Sequence, residues 1–242
     1  YHYLNMLKKN GTKTYLISAI FRPKQAFFRK YGGFSRKMLK CFSHLFVQNE
    51  QSVELLKGLN ITNVTLAGDT RFDRVYQLAS QAVSIPAIEK FKSQKPLVIA
   101  GSTWPDDEER IAKYINGHDD MQLVIAPHEV NEEHINLITK QFANKKCIRY
   151  TQIKGSENLK EYDVLILDTI GILMSAYRYG SWAYIGGGFN KSGIHNTLEA
   201  ATFGLPVVFG PNYQKFMEAN GLIKAEAGFG ISSQDQLNAV FD

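Results

Sequence analysis

Along this chain, short apolar and β-branched runs alternate with longer segments whose apolar positions recur at helical spacing. That is the pattern of parallel strands buried on both faces and joined by helices. In the first part, Lys13 to Ala19, His44 to Gln48 and Asn63 to Gly68 predict strands, with helices near Lys24 to Cys41 and Glu50 to Lys57. Further on, Pro96 to Gly101, Gln122 to Pro127, Lys146 to Thr151, Val164 to Thr169, Trp182 to Gly187 and Pro206 to Gly210 predict six more. Three strands make an incomplete sheet, whereas six with intervening helices make a full doubly wound α/β domain. The rhythm breaks after Gly68, so the expected division is a first domain over 1–75, a linker over 76–90 and a second domain over 91–242.

Sheets of this kind bind ligands outside the carboxyl ends of their strands, which makes the residues after each strand the candidate site. After the first strand of the second domain, Ser102 and Thr103 supply hydroxyls and amides to an anion, although Thr103 read alone is a plain helix cap. His128 and Glu129 follow the second strand, and a lone histidine there is more often structural. Asp168 and Thr169 precede Gly171 and a helix that Asp168 is placed to cap. The segment from Gly186 to Pro211 is the most informative. It predicts a glycine turn through Gly187 and Gly188, then a helix carrying His195 and Glu199 on one shared face, with Asn196 beside them. A helix opening after such a turn offers amides and dipole to an anion, and its carboxylate offers acceptors to sugar hydroxyls, an arrangement suited to a nucleotide sugar. Asn212 and Gln214 after the last strand are placed to meet a sugar or acceptor.

Charge divides the chain unevenly. Residues 1–75 hold 13 Lys+Arg against 4 Asp+Glu, and residues 76–242 hold 15 against 19. Much of the excess lies in Arg22, Lys24, Arg29, Lys30, Arg36, Lys37 and Lys40, interleaved with Phe27, Phe28, Tyr31 and Phe34. Such a segment suits an anionic lipid surface, or else it is a solvated helix face with its aromatics in the core. Nucleic acid is a weaker reading, because no recognised binding motif accompanies the charge. No apolar run reaches the ~20 residues needed to span a bilayer. Cys41 and Cys147 lack disulfide, zinc or redox spacing. Neither a G-x-G-x-x-G after the domain's first strand, nor a P-loop, nor a G-x-S-x-G elbow is present, which argues against a dinucleotide oxidoreductase, a P-loop nucleotidase and an α/β-hydrolase. Without a D-x-D pair after a strand, binding independent of metal is expected.

The set Gly101-Ser102-Thr103, Ala126-Pro127-His128, D-T-x-G-x-L from Asp168 to Leu173, G-G-x(4)-G-x-H-N-x-L-E from Gly187 to Glu199, and G-L-P-V-x-F-G-P from Gly204 to Pro211 resembles the 3-deoxy-D-manno-octulosonic acid (Kdo) transferases. SAIFRPKQAFF, FVQNEQS and AGDTRFDRV extend the resemblance over nearly the whole chain. It implies the two-domain GT-B fold, here the end of an amino-terminal Rossmann-like domain followed by a whole carboxyl-terminal one. It also implies transfer of Kdo from CMP-Kdo to a lipid A precursor at the cytoplasmic face of a Gram-negative inner membrane, with no cofactor. By that similarity Ser102, Thr103, His128, Asp168, Thr169, Gly171, Gly187, Gly188, His195, Asn196 and Glu199 form the CMP-Kdo pocket, Glu199 taking the ribose hydroxyls. The basic helix of the first domain then faces acceptor and membrane. Many members carry an Arg between the Pro and His of the second-strand motif, where this chain has none. The family's general base, a glutamate early in the amino-terminal domain, is expected upstream of Tyr1, so the chain is read as a fragment. Other readings are a different GT-B nucleotide-sugar enzyme, such as a UDP-sugar transferase or epimerase, and a non-catalytic nucleotide-binding module.

Overall fold

The β-branched runs form two separate parallel sheets in the computed structural model, which describes residues 1–155 and 157–242. The chain divides into units of 1–74 and 75–242. The first unit runs α1 (His2–Lys9), β1 (Tyr15–Ala19), α2 (Gly33–Leu39), β2 (His44–Val47), α3 (Glu50–Lys57) and β3 (Val64–Leu66), with the strands in the order β1-β2-β3. Leu45 and Val47 pair into both neighbours and are fully buried, packing with Phe21, Leu39, Leu56 and Ile61. Asn49 caps α3 by accepting from the Ser52 amide, so this helix starts where the sequence places it.

The continuous helix expected from Lys24 to Cys41 does not form. A 3-10 turn covers Ala26–Phe28 and α2 begins only at Gly33. The turn between them brings Gly32 against the chain so closely that an added Cβ would stand 1.9 Å from the Ala26 carbonyl oxygen, a contact only glycine permits. The aromatics of the segment divide accordingly. Phe27 and Phe28 pack edge-on to the buried Phe21, while Tyr31 and Phe34 are exposed.

A helix, α4 (Thr70–Ser80), carries the chain into the second unit. There follow α5 (Pro86–Phe91), β4 (Leu97–Thr103), α6 (Pro105–Asn116), β5 (Gln122–Pro127), α7 (Glu132–Gln141), β6 (Cys147–Arg149), β7 (Val164–Ile166), α8 (Leu173–Ala176), β8 (Trp182–Ile185), α9 (Leu198–Ala201), β9 (Val207–Phe209), α10 (Met217–Lys224), β10 (Gly228–Gly230) and α11 (Gln234–Phe241). The expected linker therefore holds the end of α4 and most of α5, whose Ile88 and Phe91 lie in the second unit's core together with the preceding Ile85. The sheet has seven strands in the order β10-β9-β8-β4-β5-β7-β6, one more than the six expected. Its β4 and β5 are buried almost throughout, because helices cover both faces. On one face Leu97 and Ile99 join Ile88, Phe91, Ala200 and Ala219, and on the other Val98 and Ala100 join Ile111, Ile115, Ile135, Ile138 and Leu237. The chain builds from β4 outward through β5, then returns to β8 on the other side of β4. That reversal is the topological switch point where a crevice opens at the strand ends.

Candidate functional site

At the switch point the ends of β4 and β8 meet backbone to backbone. The Gly186 amide donates to the Gly101 carbonyl at 2.9 Å. A Cβ on Gly186 would lie 2.2 Å from the Ser102 oxygen, and one on Gly188 would lie 2.5 Å from the Gly210 backbone. Glycines are thus required for the turns after β8 and β9 to close on each other. Ser102 itself has φ of 53°, left-handed for a non-glycine residue, and the pairing of β4 with β5 skips register between Gly101 and Thr103. Strained backbone of this sort costs ~1–3 kcal/mol and clusters at functional sites.

Beyond the strands lies a run of aromatic rings. His128, just past β5, stacks on Trp104 at 4.8 Å and on His195 at 4.4 Å. The Trp104 indole N–H donates to His195 Nε2 at 3.1 Å. Burial, helped by the neighbouring His128, holds the His195 pKa below its usual value. The sequence placed His195 and Glu199 on one helix face. The structure corrects this: α9 is only four residues long, and His195 precedes it in a loop because its amide donates to the Gly186 carbonyl instead of to a helical turn. So short a helix also sums little dipole, which removes the expected helix-terminus anion seat. Asn196 links the two segments, its Nδ2 donating to Glu199 Oε1 at 3.0 Å while its Oδ1 accepts from the Leu198 amide. Glu199 lies close enough to Tyr177 for its charge to add to burial in raising the tyrosine's pKa, and the Tyr177 hydroxyl covers Gly101. Ser102, Gly187, Gly188, His128, His195, Asn196 and Glu199 are thus assembled around the ends of β4, β5, β8 and β9.

Asp168 departs from its expected role. It does not cap α8, which begins five residues later. Both its oxygens accept from Thr151, one from the amide at 2.9 Å and the other from the hydroxyl, because the turn after the neighbouring β6 ends beside it. Thr169 and Gly171 lie in the loop ahead of α8, whose Leu173 side chain packs against Gly101.

Thr103 does not cap α6 either, and its side chain is fully buried, its hydroxyl donating to Glu108 Oε1 at 3.0 Å. Glu108 Oε2 is bound at 2.8 Å by His134 Nε2 from α7. Burial opposes charge on His134, but the Glu108 carboxylate outweighs it and raises the histidine's pKa above 6.5, while burial also raises that of Glu108. A histidine pKa raised by folding contributes stability that is complete below 6.5 and is lost as pH rises through the raised value. Stability measured by urea titration is therefore expected to fall from pH 6 to pH 9, and His134→Gln is expected to flatten that slope.

A second buried carboxylate, Asp107, organises the glycine turn. Its Oδ2 accepts from the Gly187 amide at 2.8 Å and the Trp104 amide at 3.0 Å, and its Oδ1 from the Tyr184 hydroxyl at 2.8 Å. Burial nonetheless raises its pKa above the usual carboxylate value, the donors only partly offsetting the desolvation. The Gly187 amide is thus already engaged within the protein. The sequence reading missed Trp104, Asp107, Glu108 and His134. The signal for Asp107 was present, an acid three residues after the helix cap, but its bond to Gly187, eighty residues on, has no local signature.

The residues read as the acceptor surface all belong to the first unit. Arg22, Lys24, Arg29, Lys30 and Lys37 are exposed, whereas the Arg36 guanidinium is drawn inward to the Phe27 and Arg29 carbonyls at 3.4 and 3.2 Å. Among the described residues no helix is long and apolar enough to cross a membrane, and no group of three or more His, Cys, Asp or Glu is placed to hold a metal ion.

Residues 1–74 match the family model for 3-deoxy-D-manno-octulosonic-acid transferase. Curated 3-deoxy-D-manno-octulosonic acid transferases are similar along most of the chain: 28% identity to that of Rickettsia bellii over 86% of this chain and 50% of the relative, and 25% to that of Chlamydia trachomatis serovar A over 100% and 57%. The chain spans about half the length of the curated relatives it matches. Among solved structures, the C-terminal CMP-Kdo binding domain of WaaA from Acinetobacter baumannii matches with a TM-score of 0.54 at 20% identity, over 69% of this chain and 86% of that one. The UDP-GlcNAc 2-epimerase of Neisseria meningitidis bound to UDP-GlcNAc matches with a TM-score of 0.62 at 13% identity, over 98% and 62%. These likenesses place both units in the GT-B fold class. With the matching model over its first unit and related transferases along most of its length, the chain is similar to the Kdo transferases.

Proposed function

We propose that this chain is the donor-binding part of a glycosyltransferase that moves Kdo from CMP-Kdo to a lipid A precursor, with no metal or other cofactor. The observation that carries the reading is the convergence of Ser102, Gly187, Gly188, His195 and Glu199 at the switch point of the larger sheet. Similarity to the Kdo transferases then favours CMP as the nucleotide. The backbone and histidines around Ser102 and Gly188 would face the phosphate and the Kdo carboxylate, and Glu199 the ribose hydroxyls. As CMP leaves the anomeric carbon its phosphate gains charge, and donors already fixed in place stabilise that charge without reorganising. The exposed Lys24, Lys30 and Lys37, with Tyr31 and Phe34 beside them, suit an acceptor lipid and an anionic membrane surface, in keeping with work at the cytoplasmic face of the inner membrane.

Calorimetric titration with CMP, UMP and UDP tests the donor. CMP is expected to bind most tightly. Preference for UDP would overturn the CMP-Kdo reading in favour of the second one, a UDP-sugar enzyme, which the fold likeness to UDP-GlcNAc 2-epimerase over 98% of the chain supports. Glu199→Ala is expected to weaken CMP about tenfold, the value of one charge-assisted hydrogen bond. Unchanged affinity would remove Glu199 from the ribose.

A further inference from the structure

We propose that Trp104 is a positioning residue that holds His195 as a neutral imidazole with its proton on Nδ1, so that His195 meets a bound anion as a hydrogen-bond donor and not as a cation. An indole nitrogen can only donate. Trp104 Nε1 lies 3.1 Å from His195 Nε2, so that nitrogen must carry a lone pair, and the ring's one remaining proton belongs on Nδ1. An imidazolium would set two N–H groups against each other at that distance.

The surroundings favour the same state. The titratable group found against His195 is His128, stacked 4.4 Å away, and a positive charge on either ring is disfavoured by one on the other. His128 also stacks on Trp104, which fixes the indole plane, and the His195 amide is anchored to Gly186, which fixes the histidine's backbone at the glycine turn. Rings held on both sides in this way keep one tautomer, as an outer partner does for a histidine bound to a metal. The lowered pKa of His195 agrees with the geometry.

The proposal rests on the donor-site reading for what the Nδ1 proton does, although the tautomer itself does not depend on that reading. Long-range 1H–15N correlations of the imidazole rings in the whole chain, recorded at neutral pH, read the tautomer directly. Wild type is expected to show His195 protonated at Nδ1 alone. A proton on Nε2, or a cation, would overturn the proposal even if no variant folds.

Trp104→Phe keeps a ring against His128 but deletes the N–H. It is expected to move the His195 proton to Nε2 and raise its pKa. CMP affinity should fall about five- to tenfold, the worth of one misdirected hydrogen bond, and become pH-dependent across the histidine range. A variant with the shifted tautomer and unaltered CMP affinity would refute the donor role of Nδ1. Wild type that shows the Nδ1 tautomer but binds no CMP would refute the nucleotide-sugar reading and leave the Trp104 assignment standing.

Discussion

Asp107→Ala is expected to destabilise the second unit by about 4 kcal/mol, since it leaves the Gly187 amide, the Trp104 amide and the Tyr184 hydroxyl unpaired in the interior at ~1–3 kcal/mol each. That is a large fraction of the ~5–15 kcal/mol a domain holds in reserve. Asp107→Asn separates charge from hydrogen bonding. Its amide oxygen can replace Oδ2 toward both backbone N–H groups, and its NH2 can donate to Tyr184, whose hydroxyl turns to accept. It is expected to remain close to wild type in urea titrations, and equal loss in the two variants would show that the negative charge is what the turn requires. The pH dependence follows from the raised pKa. Native protein binds a proton that unfolded protein has released, so the contribution of Asp107 falls as pH climbs from 3.8 to its raised value, and the Asn variant lacks that fall.

Gly186→Ala is expected to do comparable damage by an opposite route, adding an atom where none fits. The new Cβ would meet the Ser102 oxygen at 2.2 Å and the Thr103 Cα at 2.6 Å, both backbone atoms that no rotamer change can move. Overpacking against movable side chains costs ~1–3 kcal/mol, and here the cost belongs at or above the top of that range. The strands must part where β4 and β8 end, so loss of CMP binding is expected even in the fraction that stays folded. Retained affinity with unchanged thermal stability would show that the close approach is dispensable. Gly221→Ala, in α10, is the control, because an added Cβ there meets nothing within 4 Å and its φ is not left-handed.

Most of the framework was legible because parallel strands buried on both faces leave unbroken apolar runs, as in Leu97 to Ala100 and Leu123 to Ala126. The strand β10 escaped notice since Gly228-Phe229-Gly230 offers one apolar side chain between two glycines. β6 proved shorter than its run, since it is an edge strand and its chain coils into a 3-10 turn at Tyr150. At the site, glycine-rich turns announced where the crevice lies, yet helical spacing misled about His195, whose amide bonds across to Gly186. Asp168 was misjudged for a similar reason, its partner Thr151 being supplied by the turn after a neighbouring strand. Contacts between distant segments leave no periodic trace in sequence, and the Trp104, His128 and His195 rings are such a case.

The left-handed turn at Ser102 reverses the parity of its strand. Leu97, Ile99 and Gly101 face one layer of helices, and simple alternation would send Thr103 there too, but its hydroxyl reaches Glu108 on the opposite layer. The first unit repeats the device, with Ser18 at φ 55° and a skipped register between Leu16 and Ala19. Were either serine to adopt ordinary extended backbone, alternation would run straight through it and turn the following side chain to the other layer. Chimaeras assembled from related chains must therefore be spliced away from these serines, inheriting each one together with its successor.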